Sequence, residues 1–278
     1  MRVGRIPYIN CYPVYGAIDR RLVELDAQLV DGIPSALNTA MSVGGLDVSV
    51  ISAVEYARDA TRYLLLPDLA ISCDGPVRSV MLFSRRPAES LSRGRVLVSR
   101  SSMTSVELLQ LMFQQVWKAS PAFVPADAEI SDQERSGAQP HDARLIIGDA
   151  ALLLTSGASA LAGEYPYIYD LGQVWKEWTG LPFVFAVWVA QRTTPVAGAL
   201  ALHAQLIESR NWGLQHLDEL SRQAAAATGV SEAAALQYLS GLDYALHYEH
   251  LAGLTTFFGK LAASGRVPNG SLAFLPAA

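Results

Sequence analysis

Through the first two-thirds of the chain, short apolar runs of strand character stop at a polar residue and restart with helical spacing. In "RVGRIPYIN" the strand-like run ends at Asn10, and Pro13 follows where a helix can begin, because proline in a first helical turn gives up no needed N–H. "DVSVI" alternates like a strand, and Ser52 with Glu55 fits a capping box that opens a short helix. "RSVMLFSR" follows the turn signal "CDGP". In "GRVLVSRSSMTSVELLQLMFQQVWKA" a strand over Val96 to Ser99 leads through a polar turn to a helix that Thr104 and Glu107 can cap. Val106, Leu109, Leu111, Met112 and Val116 supply its buried face. "DARLIIGDAALLLTS" repeats the pattern around Gly148-Asp149, and "LPFVFAVWVA" reads as a fully buried strand. From about Pro195 strand signals give way to Ala/Leu-rich helices, with a break near Thr228-Gly229-Val230.

Strands alternating with helices restrict the chain to an α/β fold with mostly parallel sheets. Such folds collect ligands in a crevice beyond the carboxyl ends of strands. Asn10, Ser52, Ser102, Thr104, Ser105 and Asp149 fall at those ends. Each alone reads as an ordinary helix cap. Five junctions of one kind predict a shared cleft, whose helix N-termini and hydroxyls suit a carboxylated ligand.

The length of 278 residues favours about two lobes. A formal charge of -5 and the lack of any Lys/Arg block argue against a nucleic-acid partner, so an anion would be held by local donors. "MRVGRIPYIN" lacks the apolar segment of a secretory signal, and the longest apolar run is too short to span a bilayer. Cys11 and Cys73 show no CxxC spacing and read as reduced thiols. The expectation is a cytoplasmic protein with a small-molecule substrate and no membrane partner.

GxGxxG, P-loop and GxSxG motifs are absent, which removes support for nucleotide-dependent and triad-hydrolase chemistry. "HYEH" places His247 and His250 on one helical face without an identifiable third ligand, so no metal is expected and a solvated face is the reading. His141 lies in the polar segment 127–142, read as a loop, and His203 and His216 lie in helical segments as structural histidines. "WTGLPF" reads as a tight turn at which Thr179 presents a hydroxyl.

Taken in order, "YIN", "GGLDVSVISAVEYA", "GPVRSVMLFS", "SRSSMTSVELLQ", "IGDAAL", "DLGQVWKEWTGLPFVFAVW" and "YLSGLDYALHYEHLAGLTTF" resemble the chorismate dehydratase family of the futalosine route to menaquinone. The resemblance runs from about residue 3 to residue 268. It implies a type 2 periplasmic-binding-protein-like fold with two lobes, a hinge and an interlobe cleft. Residues 1–87 and 187–278 would form one lobe and 88–186 the other, with crossings near "SRRP" and "FVFAVW".

The implied activity is that of a hydro-lyase converting chorismate to 3-[(1-carboxyvinyl)oxy]benzoate with loss of water. No cofactor is required in principle. The resemblance points to Asn10 and Ser79 as the residues that orient a carboxylate or the leaving hydroxyl, with Asp149 orienting that hydroxyl or moving a proton. Ser102, Thr104 and Ser105 would bind a carboxylate from the other lobe, with Ser52 and Thr179 as further substrate-binding hydroxyls. No histidine is well placed as a base, so the acceptor of the ring proton stays open between a protein group and the substrate's own enolpyruvyl carboxylate. Two other readings stay open at this point: the cyclic dehypoxanthine futalosine lyase of the same pathway, and a non-catalytic intracellular carboxylate-binding protein.

Overall fold

The structure, a computed structural model, describes residues 1–126, 140–156, 164–268 and 270–276. Most of the predicted loop 127–142 lies outside the described residues. Strands β1 (Arg2–Arg5), β2 (Gln28–Asp31), β3 (Val48–Ser52), β4 (Tyr63–Cys73) and β10 (Phe183–Gln191) form one sheet, in the order β2-β1-β3-β10-β4. Strands β5 (Val80–Ser84), β6 (Arg95–Ser99), β7 (Ala122–Ala126), β8 (Ala143–Ile147) and β9 (Tyr167–Asp170) form a second, in the order β7-β6-β8-β5-β9. The two orders are equivalent, and each sheet carries one lobe.

Within each sheet the strand that first enters from the other lobe runs against its neighbours. β10 is antiparallel to β3 and β4, and β5 is antiparallel to β8 and β9. The remaining pairings are parallel. The sheets are therefore mixed rather than mostly parallel. The cause is the crossing itself: β4 and β9 end on the side facing the other lobe, so the strand that follows starts there and runs away. β10 is buried at all nine positions, as its unbroken apolar sequence requires of an inner strand covered on both faces.

This topology moves the expected lobe boundaries. β5 belongs to the second sheet, so the first crossing lies in residues 74–79, ahead of "SRRP". All of β10 belongs to the first sheet, so the return lies between β9 and Phe183. The sequence cannot show where a buried strand changes sheet, because its apolar pattern is the same in either.

Helices α1 (Tyr12–Asp19), α2 (Pro34–Ser42) and α3 (Ala53–Arg58) accompany the first sheet. Helices α4 (Thr104–Gln115), α5 (Gly148–Thr155) and α6 (Leu171–Thr179) accompany the second. The chain then continues through α7 (Val196–Gln215), α8 (Leu217–Thr228), α9 (Glu232–Gly241) and α10 (Tyr248–Ala263). α7 crosses α1 so closely that a Cβ on Gly213 would lie 2.1 Å from the Pro13 carbonyl oxygen. α8 stops at Gly229, whose φ of 77° is the left-handed conformation glycine adopts freely, and this makes the predicted break. Among the described residues no helix is long and apolar enough to cross a membrane.

One carboxylate joins the two crossings. Asp170 Oδ1 accepts from the backbone N–H of Val77 (3.0 Å), Gly172 (2.9 Å) and Gln173 (3.2 Å), and Oδ2 accepts from that of Arg78 (2.6 Å). It caps α6 and at the same time fixes the segment leading into β5. The segment lies against Gly172, where a Cβ would come within 2.5 Å of the Gly75 carbonyl oxygen. On the return, Trp175 Nε1 donates to the Pro182 carbonyl at 3.1 Å, and α10 packs on the same carbonyl through Gly253.

Candidate active site

The carboxyl ends of β1, β3, β4 and β8 converge on a cavity between the lobes, with about 610 Å³ of empty space when the open solvent at its mouth is included. Six of the eight predicted site residues line it: Asn10, Ser52, Ser79, Ser102, Thr104 and Ser105. Apolar side chains, among them Ile6, Ile71, Val77, Ile147 and Phe185, make up most of the remaining wall. Among the described residues no Lys, Arg, His, Asp or Glu lines it.

Asn10 reaches this wall differently from the sequence reading. β1 stops at Arg5, because Pro7 has no N–H to extend the ladder. A single 3-10 turn, Ile9–Cys11, then carries Asn10 into α1. The Asn10 side-chain oxygen is buried and has no hydrogen-bond partner among the described residues, an arrangement that buried amides rarely tolerate without a ligand or water. On the other side of the cleft, Gly148 opens α5 with φ of 66°, and a Cβ there would rest 3.5 Å from the Tyr8 ring.

Ser52 and Thr104 do not cap their own helices. The Ser52–Glu55 capping box does not form, since the Ser52 side chain makes no cap bond. Instead Asn38 of α2 grips Ser52 from both ends: Nδ2 donates to Ser52 Oγ (3.0 Å) and Oδ1 accepts from Ser52 N (3.1 Å). Glu55 turns into the core, where the Tyr63 hydroxyl donates to it at 3.2 Å. Thr104 Oγ1 accepts from the Val54 backbone N–H at 3.2 Å, so a side chain of the second lobe caps a helix of the first. Ser102 Oγ accepts from Ser105 N–H at 3.3 Å and takes the capping role expected of Thr104.

Asp149 is not part of the cavity wall. Its carboxylate accepts from the Ile9 backbone N–H at 3.4 Å and thereby joins the second lobe to the turn that carries Asn10. Burial pushes this carboxyl up to about 6, against the smaller downward pull of the Ile9 N–H. Thr179 is also outside the wall. It ends α6, donating to the Trp175 carbonyl (2.9 Å) and accepting from Leu181 N–H (3.2 Å). Its hydroxyl is consumed by the turn that "WTGLPF" builds, which corrects its expected place at the substrate. Arg78 likewise faces away from the cavity, on a backbone with φ of 63° held by Asp170.

Ser79 is 4 % exposed and immediately precedes β5. Its carbonyl accepts from Gly148 N–H at 2.7 Å, and its Oγ accepts from the Tyr238 hydroxyl at 2.8 Å. None of the five histidines lines the cavity. His250 is buried rather than solvated, with Nε2 3.0 Å from Asp243 Oδ2. It forms a capping box with His247 at the start of α10, which is what "HYEH" encodes. Among the described residues no group of three or more His, Cys, Asp or Glu is arranged to hold a metal.

Sequence reasoning missed three supporting residues. Asp170 carried a readable signal, an Asp just before a helical run. Asn38 and Tyr238 carried none, since each acts on a residue distant in sequence.

Comparison with known proteins accords with this arrangement. The chain is 29% identical over 268 residues to the chorismate dehydratase of Thermus thermophilus, covering 90% of this chain and 94% of that one. Among solved structures, a protein from Archaeoglobus fulgidus superposes with a TM-score of 0.77 at 20% identity, covering 96% of this chain and 98% of that one. The alkanesulfonate-binding protein SsuA of Xanthomonas axonopodis pv. citri, bound to MOPS, superposes with a TM-score of 0.69 at 15% identity, covering 96% and 94%. At these identities the structural matches establish the fold, that of the periplasmic binding proteins. A profile of the menaquinone biosynthesis family matches residues 1–263, and the chain belongs to that family.

Proposed function

We propose that this protein is a chorismate dehydratase that converts chorismate to 3-[(1-carboxyvinyl)oxy]benzoate in menaquinone biosynthesis. One observation carries the reading. Hydroxyl and amide groups from both lobes meet on an otherwise apolar cavity on whose wall, among the described residues, no charged side chain stands.

The reaction removes a ring proton and the neighbouring hydroxyl and leaves an aromatic ring. The departing hydroxide takes up a proton and leaves as water, so the protein gains no net proton or electron. The catalytic demand is therefore to fix geometry, exclude water and aim donors at the oxygen that leaves. Ser102, Thr104 and Ser105, at the start of α4, bind a carboxylate through hydroxyls and helix N–H groups. Asn10 and Ser79 orient the leaving hydroxyl from the facing side, and Ser52 completes that wall.

Because no histidine reaches the cavity, the substrate's enolpyruvyl carboxylate takes the ring proton. Asp149, outside the wall, stands behind Asn10 and sets its turn through the Ile9 N–H.

The test is to incubate the purified protein with chorismate and follow product mass and ultraviolet spectrum. Loss of the cyclohexadiene band together with a product lighter by one water is the expected result. Chorismate recovered unchanged refutes the reading.

A further inference from the structure

Ser79 is fixed on every side except one. Asp170 holds the N–H groups of Val77 and Arg78, and Gly148 N–H holds the Ser79 carbonyl, so its backbone is anchored on both sides. The remaining freedom is the direction of its hydroxyl proton. Tyr238, on α9, is 1 % exposed and aims its hydroxyl at Ser79 Oγ at 2.8 Å.

Only one direction of this bond satisfies both groups. If Ser79 donated to the phenol, the Tyr238 proton would be buried without an acceptor, since Ser79 is its one hydrogen-bond partner among the described residues. With Tyr238 donating, the Ser79 proton turns away from the phenol, and the cavity is where Ser79 has room.

We propose that Tyr238 is a positioning residue that makes Ser79 an obligatory donor to the substrate oxygen that leaves. The inference rests on the dehydratase reading and goes beyond it. It assigns a role to a helix that contributes nothing to the cavity wall, and it fixes the sense of the Ser79 hydrogen bond. A donor suits the leaving oxygen because negative charge grows on that oxygen as the C–O bond breaks. Burial holds the phenol protonated, far above its usual range, with Ser79 as the opposing influence and Asp149, Cys11 and Cys73 as the neighbours that reinforce it. Tyr238 thus remains a donor throughout turnover.

A double-mutant cycle tests this. Wild type, Tyr238→Phe, Ser79→Ala and the double variant are compared for kcat and KM with chorismate. Acting through Ser79, Tyr238→Phe lowers kcat by roughly 10-fold or more and changes KM by less than about 3-fold. In the Ser79→Ala background the same substitution changes kcat by less than about 2-fold. Replacement of Tyr238 by difluorotyrosine, a stronger donor of nearly the same shape, serves as the second variant. It raises kcat in the wild-type background and has no effect without the Ser79 hydroxyl.

Equal losses in both backgrounds, or no loss in wild type, overturn the Tyr238 inference and leave the dehydratase reading intact. Wild-type protein inert toward chorismate overturns both.

Discussion

At the scale of single residues, the site separates groups that face the cavity from groups that hold them. Asn10, Ser79 and Thr104 face it. Behind the wall, Asp149 holds the Ile9 N–H next to Asn10, Asn38 holds Ser52 and Tyr238 holds Ser79. Asp149 pays for that position with desolvation. The folded protein holds its proton more tightly than the unfolded chain does, from about pH 4, the ordinary Asp value, up to about 6. The contribution of this group to stability is therefore complete at low pH and is lost as pH rises through about 6, amounting to about 3 kcal/mol. Asp149→Asn removes the titrating group while keeping an oxygen for Ile9 N–H. Denaturant unfolding measured from pH 4 to 8 should lose this slope, and the variant should exceed wild type in stability at pH 7. A wild-type stability flat across that window would contradict the buried placement of Asp149.

The elements explain how much of the fold could be read in advance. Runs such as "GRVLVS" and "LPFVFAVW" announce their strands because burial on both faces demands unbroken apolar character. The polar residues at the following junctions announced most of the polar groups on the cavity wall. The caps were not legible, because capping is decided by side chains from other elements: Thr104 of the second lobe caps α3 rather than α4, and Asn38 of α2 displaces the Ser52 box. Thr179 misled for the opposite reason, since its hydroxyl is used locally by the turn after α6. Asp170 carries four backbone N–H groups on one carboxylate. Asp170→Ala leaves those donors without a partner and should cost on the order of 3 kcal/mol or more, with the melting temperature as the readout. A loss under about 0.5 kcal/mol would show that the crossing segment does not depend on it.

For the whole molecule, the equivalent strand orders of the two sheets place two sets of strand ends against one cavity. Among the described residues its wall has no charged side chain, so an anionic ligand is recognised by aligned dipoles rather than by a field. The Michaelis constant for chorismate should therefore change little, less than about 3-fold, between low salt and 0.5 M salt, where a lysine- or arginine-based site would weaken steeply. A strong rise of KM with salt would point to cations supplied from outside the described wall.

The measurement that tests the account most directly compares wild type with Asn10→Ala and Ser79→Ala for turnover of chorismate, with circular dichroism to confirm that each variant is folded. The account requires wild type to release the dehydrated product and each variant to lose roughly 100-fold or more in kcat. Folded variants that retain wild-type turnover would place the chemistry elsewhere and contradict it.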